Sequence, residues 1–345
     1  MLIKFNMVGS ISGCSRIIFP YSQTLYLWSL LLLRERMGKV LVIGSKGQIG
    51  TELTNALVAE RGRENVVAAD LKEEGDTPCA FEQLDVLDND ATARILKKHD
   101  VDEVYLLAAL LSATAEKKPL LARQLNMESL LFMLEQGREK KIKKLYWPSS
   151  IAVFGPSTPK EHTPQFTVND PNTVYGITKY SGELWCRYYN EKFGVDVRSL
   201  RYPGLISYTA PPGGGTTDYA VEIFHEALKS GKYTCFLKED TALPMMYMSD
   251  AIRATLQIMD ARPEQIKIRT SYNVSGFSFT PKEIAAEIAK HVPGFEISYN
   301  PDFRQAIADS WPASIDDAEA RKDWGWKPEY DLASMTEDMI ENLKK

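Results

Sequence analysis

With 345 residues, 44% hydrophobic and 25% charged, the chain has the length for one large domain, or two closely joined ones, around a substantial core. A formal net charge of −5, with no basic run carrying interleaved aromatics, argues against nucleic acid as a partner. Four scattered cysteines without a C-x-x-C and four scattered histidines without ligand spacing predict reduced thiols and no protein-bound metal. A reducing compartment, the cytoplasm, is expected.

Residues 1–36 differ in composition from the rest of the chain: Glu35 is their sole acid, and they end in Leu30-Leu31-Leu32-Leu33 before Arg34-Glu35-Arg36. The apolar run is shorter than the about 20 residues a membrane span needs. Three readings stand: a segment outside the fold, with either Met37 as the true start or residues 1–36 as a disordered appendage; a mitochondrial transit peptide; or a membrane attachment. The first is preferred, with no membrane partner and a cytoplasmic protein; the second would make it mitochondrial.

Val40 to Ile43 is a continuous apolar run, the pattern of a strand buried on both faces. It leads into Gly44-Ser45-Lys46-Gly47-Gln48-Ile49-Gly50 and then an amphipathic helix with Leu53, Leu57 and Val58 on one face. Strand, glycine-rich turn and helix together aim backbone N–H groups at a pyrophosphate. A second strand, Val66 to Ala69, ends at Asp70, where a carboxylate grips the adenosine ribose and repels a 2′-phosphate. NAD is therefore expected over NADP, although Lys46 and Lys72 are cations that could hold a 2′-phosphate. Asp85, before Val86, fits either an adenine contact or a strand-end turn.

Val104 to Ala109 reads as another buried strand, followed by Ser112 and a helix from Leu120 to Gly137 that carries Asn126. Lys144 to Trp147 leads to Pro148-Ser149-Ser150. Strands alternating with helices predict an α/β fold with a doubly wound parallel sheet, its ligand edge carrying Ser112, Ser149 and Ser150. Ser150 fits a substrate-oxygen holder or an ordinary cap.

Tyr175-Gly176-Ile177-Thr178-Lys179 places a phenol and an ammonium one helical turn apart on one face. A cation held near a tyrosine favours phenolate, so Lys179 is expected to lower the Tyr175 pKa and make it a base. Tyr219 to Ser230 and Leu332 to Leu343 read as further helices, and Thr280-Pro281 as a cap followed by a helix start. The expected organisation is a nucleotide-binding domain over 37–205. Residues 206–345 form mainly a smaller lobe, interleaved with the last sheet elements at about 245–275.

The glycine turn, Asp70, Ser150-Ile151-Ala152-Val153-Phe154-Gly155, Tyr175-x-x-x-Lys179 and Asp323-Trp324-Gly325-Trp326-Lys327-Pro328 together resemble the extended short-chain dehydrogenase/reductases, of the NAD-dependent epimerase/dehydratase superfamily. Within that group, Arg201-Tyr202-Pro203-Gly204, Gly213-Gly214-Gly215-Thr216-Thr217-Asp218, Leu243-Pro244-Met245-Met246 and Ser310-Trp311-Pro312 look like the metal-independent L-threonine 3-dehydrogenases. Lys46 departs from the small residues usual in that turn. The resemblance implies NAD-dependent oxidation of L-threonine at C3, with Ser150, Tyr175 and Lys179 catalytic. It implies a substrate pocket of Ser112, Ser150, Tyr175, Thr216, Thr217 and Trp311, with Asp85, Val86, Asn126 and Leu205 joining the glycine turn and Asp70 at the cofactor. On residue type alone, Gly213 to Thr217 fits a loop and Trp311 a core aromatic. The resemblance also implies a homodimer. Rival readings are a nucleotide-sugar epimerase or dehydratase and a non-catalytic NAD sensor.

Overall fold

The computed structural model describes residues 38–72, 77–209 and 213–345. The expectations about residues 1–36 lie outside them.

Strand β1 (Lys39–Ile43) lies at the centre of a six-stranded parallel sheet. Its companions are β2 (Val66–Asp70), β3 (Ala80–Gln83), β4 (Val101–Leu106), β5 (Lys144–Tyr146) and, at one edge, Val197–Arg198, in the order β3-β2-β1-β4-β5 and then that edge strand. The fold is therefore the α/β, doubly wound one expected. Alternation along β1 shows why a continuous apolar run is needed. Val40 and Val42 pack with Leu53, Leu57 and Ile258 on one face, while Leu41 and Ile43 pack with Leu130, Met133 and Trp147 on the other. The order reverses between β1 and β4, which opens a crevice at the carboxyl ends of the strands.

Helix α1 (Gln48–Arg61) follows β1, α2 (Asn89–His99) follows β3, and α3 (Ser112–Lys117) and α4 (Pro119–Arg138) follow β4. Helix α5 (Val174–Phe193) packs along α4. Two small sheets continue the architecture beyond β5. In one, β6 (Ser149–Ser150) pairs in parallel with Leu200–Tyr202, which pairs in turn with Tyr272–Asn273. In the other, Leu243–Tyr247 pairs in parallel with Gly204–Ile206 and antiparallel with Phe277–Phe279.

A separate apolar cluster, built on Ile223, Phe224, Phe279, Ile284, Ile288 and Met335, carries helices Tyr219–Ser230, Pro281–Ala289, Arg304–Ser310 and Leu332–Leu343 and extends to Ile151–Phe154, Tyr175 and Trp311. Helix Pro281–Ala289 starts where the cap signal placed it: Thr280 Oγ1 accepts from Glu283 N at 3.2 Å and the Glu283 carboxylate accepts from Thr280 N at 2.8 Å. The strand expected at Val104 to Ala109 instead spans Val101–Leu106. Beyond Leu107, whose N–H still reaches Ile43 O at 2.8 Å, β1 turns away at Gly44 and the ladder has no partner. Among the described residues, no helix is long and apolar enough to cross a membrane.

Candidate active site

The crevice holds two cavities that share Gly44, Gly47, Leu107 and Ala109. One, of about 250 Å³, is lined by Lys46, Asp70, Asp85, Val86, Ala108 and Leu125 among others. Its neighbour, of about 220 Å³, includes Gln48, Ile49, Ser150, Tyr175, Lys179 and Leu205 in its wall.

The turn between β1 and α1 is fixed by backbone. Gly44 N and Ser45 N both donate to Ala69 O, at 2.8 and 3.1 Å. Gly44 has φ +87°, the left-handed region, and a Cβ there would lie 2.8 Å from Ala108 N. A Cβ on Gly50 would lie 2.1 Å from Gly44 O, so the first turn of α1 can close over the strand only without a side chain. Helix α1 starts with Gly47 as its cap and no side-chain cap bond, which leaves first-turn N–H groups for a ligand.

Asp70, at the end of β2, accepts from Lys46 N at 2.9 Å and from Lys72 N at 3.1 Å. The two lysines singled out as possible 2′-phosphate holders thus first serve, through their backbones, to fix the carboxylate. The Lys46 ammonium lies 4.8 Å from the centre of the Phe81 ring. Asp85 accepts from Leu87 N at 3.0 Å, the strand-end turn, and also lines the cavity. Asn126 sits behind the wall: it accepts from Leu110 N at 2.9 Å and donates to Leu110 O and Thr178 Oγ1, both at 3.2 Å. It braces the segment after β4 against α5.

At the second cavity, β6 and α5 bring Ser150, Tyr175 and Lys179 together. Thr173 caps α5, accepting from Gly176 N at 3.0 Å, and so sets Tyr175 in the first turn. The expected effect of Lys179 on Tyr175 is not what this arrangement gives. Burial pushes the Tyr175 phenol up to about 12, and the influence that draws it down is a hydrogen bond from Ser150. Burial also pushes Lys179 down to about 7, with the neighbouring Cys186 and Glu183 opposing that shift. Its Nζ donates to Pro148 O at 2.5 Å and lies 4.4 Å from the Trp147 ring centre but 5.6 Å from that of Tyr175. A buried ammonium bound to a carbonyl and stacked on an indole is poorly placed to act as the phenol's counter-charge.

Ser112 and Thr216 join across the cavity, with hydroxyls 3.2 Å apart. Thr217 and Trp311 complete the lining. Two further residues stand out that the residue pattern left without a role. Asp218, also in the lining, accepts from Gly214 N at 2.8 Å and Gly215 N at 2.7 Å, and burial pushes its carboxyl up. Lys160 donates to Trp311 O at 3.2 Å and holds that aromatic over the cavity. An acid inside a glycine–threonine stretch was a visible signal; a lysine distant in sequence from the tryptophan gave none. No cluster of three or more His, Cys, Asp or Glu among the described residues could hold a metal ion.

Residues 40–275 match the model of the NAD dependent epimerase/dehydratase family. The structure of an L-threonine dehydrogenase from Cupriavidus necator, in its holo form, is 56% identical, covers 88% of this chain and 99% of its own, and has a TM-score of 0.87. A monomeric L-threonine 3-dehydrogenase from a metagenome is 50% identical over 88% of this chain and 98% of its own, with a TM-score of 0.86. A Staphylococcus haemolyticus protein described as an uncharacterized epimerase/dehydratase is 50% identical over 90% of this chain and 98% of its own. The residues present fit a dinucleotide. The glycine turn has a shape that a Cβ would fill, Asp70 is fixed at the cavity edge, and the Ser45 hydroxyl in the turn is buried without a protein partner. The chain belongs to the NAD-dependent epimerase/dehydratase family, and its cofactor is NAD.

Proposed function

We propose that the protein oxidises L-threonine at C3 to 2-amino-3-oxobutanoate. The observation that carries this reading is the convergence of Ser150, Tyr175, Lys179, Ser112, Thr216, Thr217 and Trp311 on one cavity of about 220 Å³. Such a space suits a small zwitterion with several hydroxyl contacts. The similarity to L-threonine dehydrogenases, identical at half or more of the aligned positions, supports it.

In this reading Ser150 holds the 3-hydroxyl and Tyr175 Oη takes its proton. Lys179, fixed by the Pro148 carbonyl, would hold the nicotinamide ribose; Gly44 to Gly50 would hold the pyrophosphate; Asp70 would hold the adenosine ribose. When bound, NAD supplies the hydride acceptor and a cationic ring. A cation in that cavity favours the phenolate form of Tyr175, which the protein alone disfavours. Ser112, Thr216 and Thr217 bind the amino-acid end, and Trp311 excludes water. The proton acceptor here is a phenolate, so the reading calls for no metal.

A second reading, a nucleotide-sugar epimerase or dehydratase, draws on the family alone, since the staphylococcal relative is described as an epimerase/dehydratase without a substrate. Absorbance of NADH with purified protein and NAD separates the two. A rate with L-threonine well above that with L-serine, L-allo-threonine or UDP-glucose is expected; UDP-glucose conversion without any amino-acid rate would replace the assignment.

We further propose a homodimer through α4 and α5. Their outer faces carry exposed Leu120, Leu121, Ile177, Leu184, Trp185 and Tyr188, an apolar stretch of the kind that marks an interface. Light scattering at micromolar concentration is expected to give twice the chain mass; a single-chain mass would refute it.

A further inference from the structure

Replacing a buried ion pair by well-packed apolar residues is often neutral or stabilising, so such a pair invites the question of what it holds. Glu183 and Arg201 form one: Glu183 is fully buried and Arg201 nearly so. Glu183 Oε1 accepts from Arg201 Nε at 2.8 Å and from the Ser149 hydroxyl at 2.6 Å, while Oε2 accepts from Arg201 Nη2 at 2.7 Å. One carboxylate therefore joins three elements: helix α5, strand β6, and the strand Leu200–Tyr202.

The geometry ties this junction to the candidate site. Glu183 continues the face of α5 that carries Tyr175 and Lys179, at successive steps of one turn. Ser149 is the register partner of Arg201, and Ser150 that of Tyr202, which lines the cavity. Arg201 is anchored from its far side by Gln165 O and Asn273 Oδ1, each at 3.1 Å. Ser150, next in the chain to Ser149, lines the same cavity as Tyr175 and draws its phenol down. The Ser149–Glu183 bond joins β6 to α5 directly, beside the bond from Lys179 to the Pro148 carbonyl.

We propose that Glu183 is a positioning residue: through Ser149 it clamps the strand bearing Ser150 against the helix bearing Tyr175 and Lys179, with Arg201 fixing its carboxylate. This rests on the reading of Ser150, Tyr175 and Lys179 as the catalytic set. The charged or titratable groups around that set are Glu183 and Cys186 from α5, Arg201 and Tyr202 from the neighbouring strand, and Asp218 across the cavity; Trp147 and the Pro148 carbonyl complete the surroundings of Lys179.

Ser149→Ala tests the clamp, because it removes the link and leaves the ion pair whole. In the purified full-length chain, kcat with L-threonine is expected to fall about tenfold or more, with KM values for L-threonine and NAD within about twofold of wild type. The rise of kcat with pH is expected to move to higher pH, because a loosened Ser150 bond no longer draws the phenol down. Ser149→Thr, which restores a hydroxyl, is expected to recover most of the loss. Should the alanine variant not fold, Ser149→Cys keeps the volume with only a weak donor and carries the same expectations. An unchanged kcat and pH profile, or a raised KM with unchanged kcat, would overturn the proposal. Tyr175→Phe assayed alongside separates the two levels. If that variant stays active, the catalytic reading itself falls; if it is inactive while the Ser149 variants behave as wild type, only the clamp does.

Discussion

Tyr175→Phe is expected to lower turnover with L-threonine at least about a hundredfold, the scale of general-base help. NAD binding is expected to stay within about twofold, since the hydroxyl is one contact among many. The Tyr175 ring packs in the apolar cluster, and losing its hydroxyl leaves a phenyl ring of the same shape, so stability should barely move. The pH dependence sharpens the test. Burial holds the phenol up at about 12, so near neutral pH only a small fraction is phenolate in the protein alone. A base must be deprotonated to act, so wild-type turnover should climb as pH rises from about 7 to 9. Residual activity in Tyr175→Phe should lose that climb. Steady-state kinetics across this range, with NAD affinity measured by fluorescence titration, check both parts; near-normal turnover in the variant would remove Tyr175 from the mechanism.

The second large effect is expected at the glycine turn. A methyl group on Gly50 would stand 2.1 Å from Gly44 O and 2.8 Å from Ser45 Cα, both backbone atoms that cannot swing aside. Gly50→Ala must push α1 away from β1 or open the turn. Overpacking of this kind costs about 1 to 3 kcal/mol of stability. The turn is also where N–H groups must converge on the pyrophosphate, so NAD affinity is expected to fall at least about tenfold. Thermal denaturation with and without NAD reads both. A variant whose melting temperature still rises with NAD as the wild type's does would show that the dinucleotide sits elsewhere.

Much of this framework was legible in the residues because it rests on local pattern. A β-branched run followed by glycines specifies β1 and its turn, and the four-residue spacing of Tyr175 and Lys179 places both on one face of α5. Thr280-Pro281, a cap followed by a proline, likewise marks the start of its helix. The failures have a different origin. The spacing of Tyr175 and Lys179 says nothing about what else surrounds them. The ammonium turns to the Pro148 carbonyl and the Trp147 ring, and desolvation dominates the phenol. The far end of β4 falls short of Ala109 because a strand stops where its neighbour leaves, and the neighbour's turn at Gly44 lies far away in sequence. Likewise the clasp of Ser149, Glu183 and Arg201, and the hold of Lys160 on Trp311, join residues that only the folded chain brings together.

The most direct test of oxidation at C3 uses L-threonine carrying deuterium on that carbon. With purified protein and NAD, the account predicts that the label appears in the reduced cofactor and that the hydride step slows, while deuterium at C2 has no comparable effect. A label retained in the amino acid, or a reduced cofactor formed without it, would contradict the account.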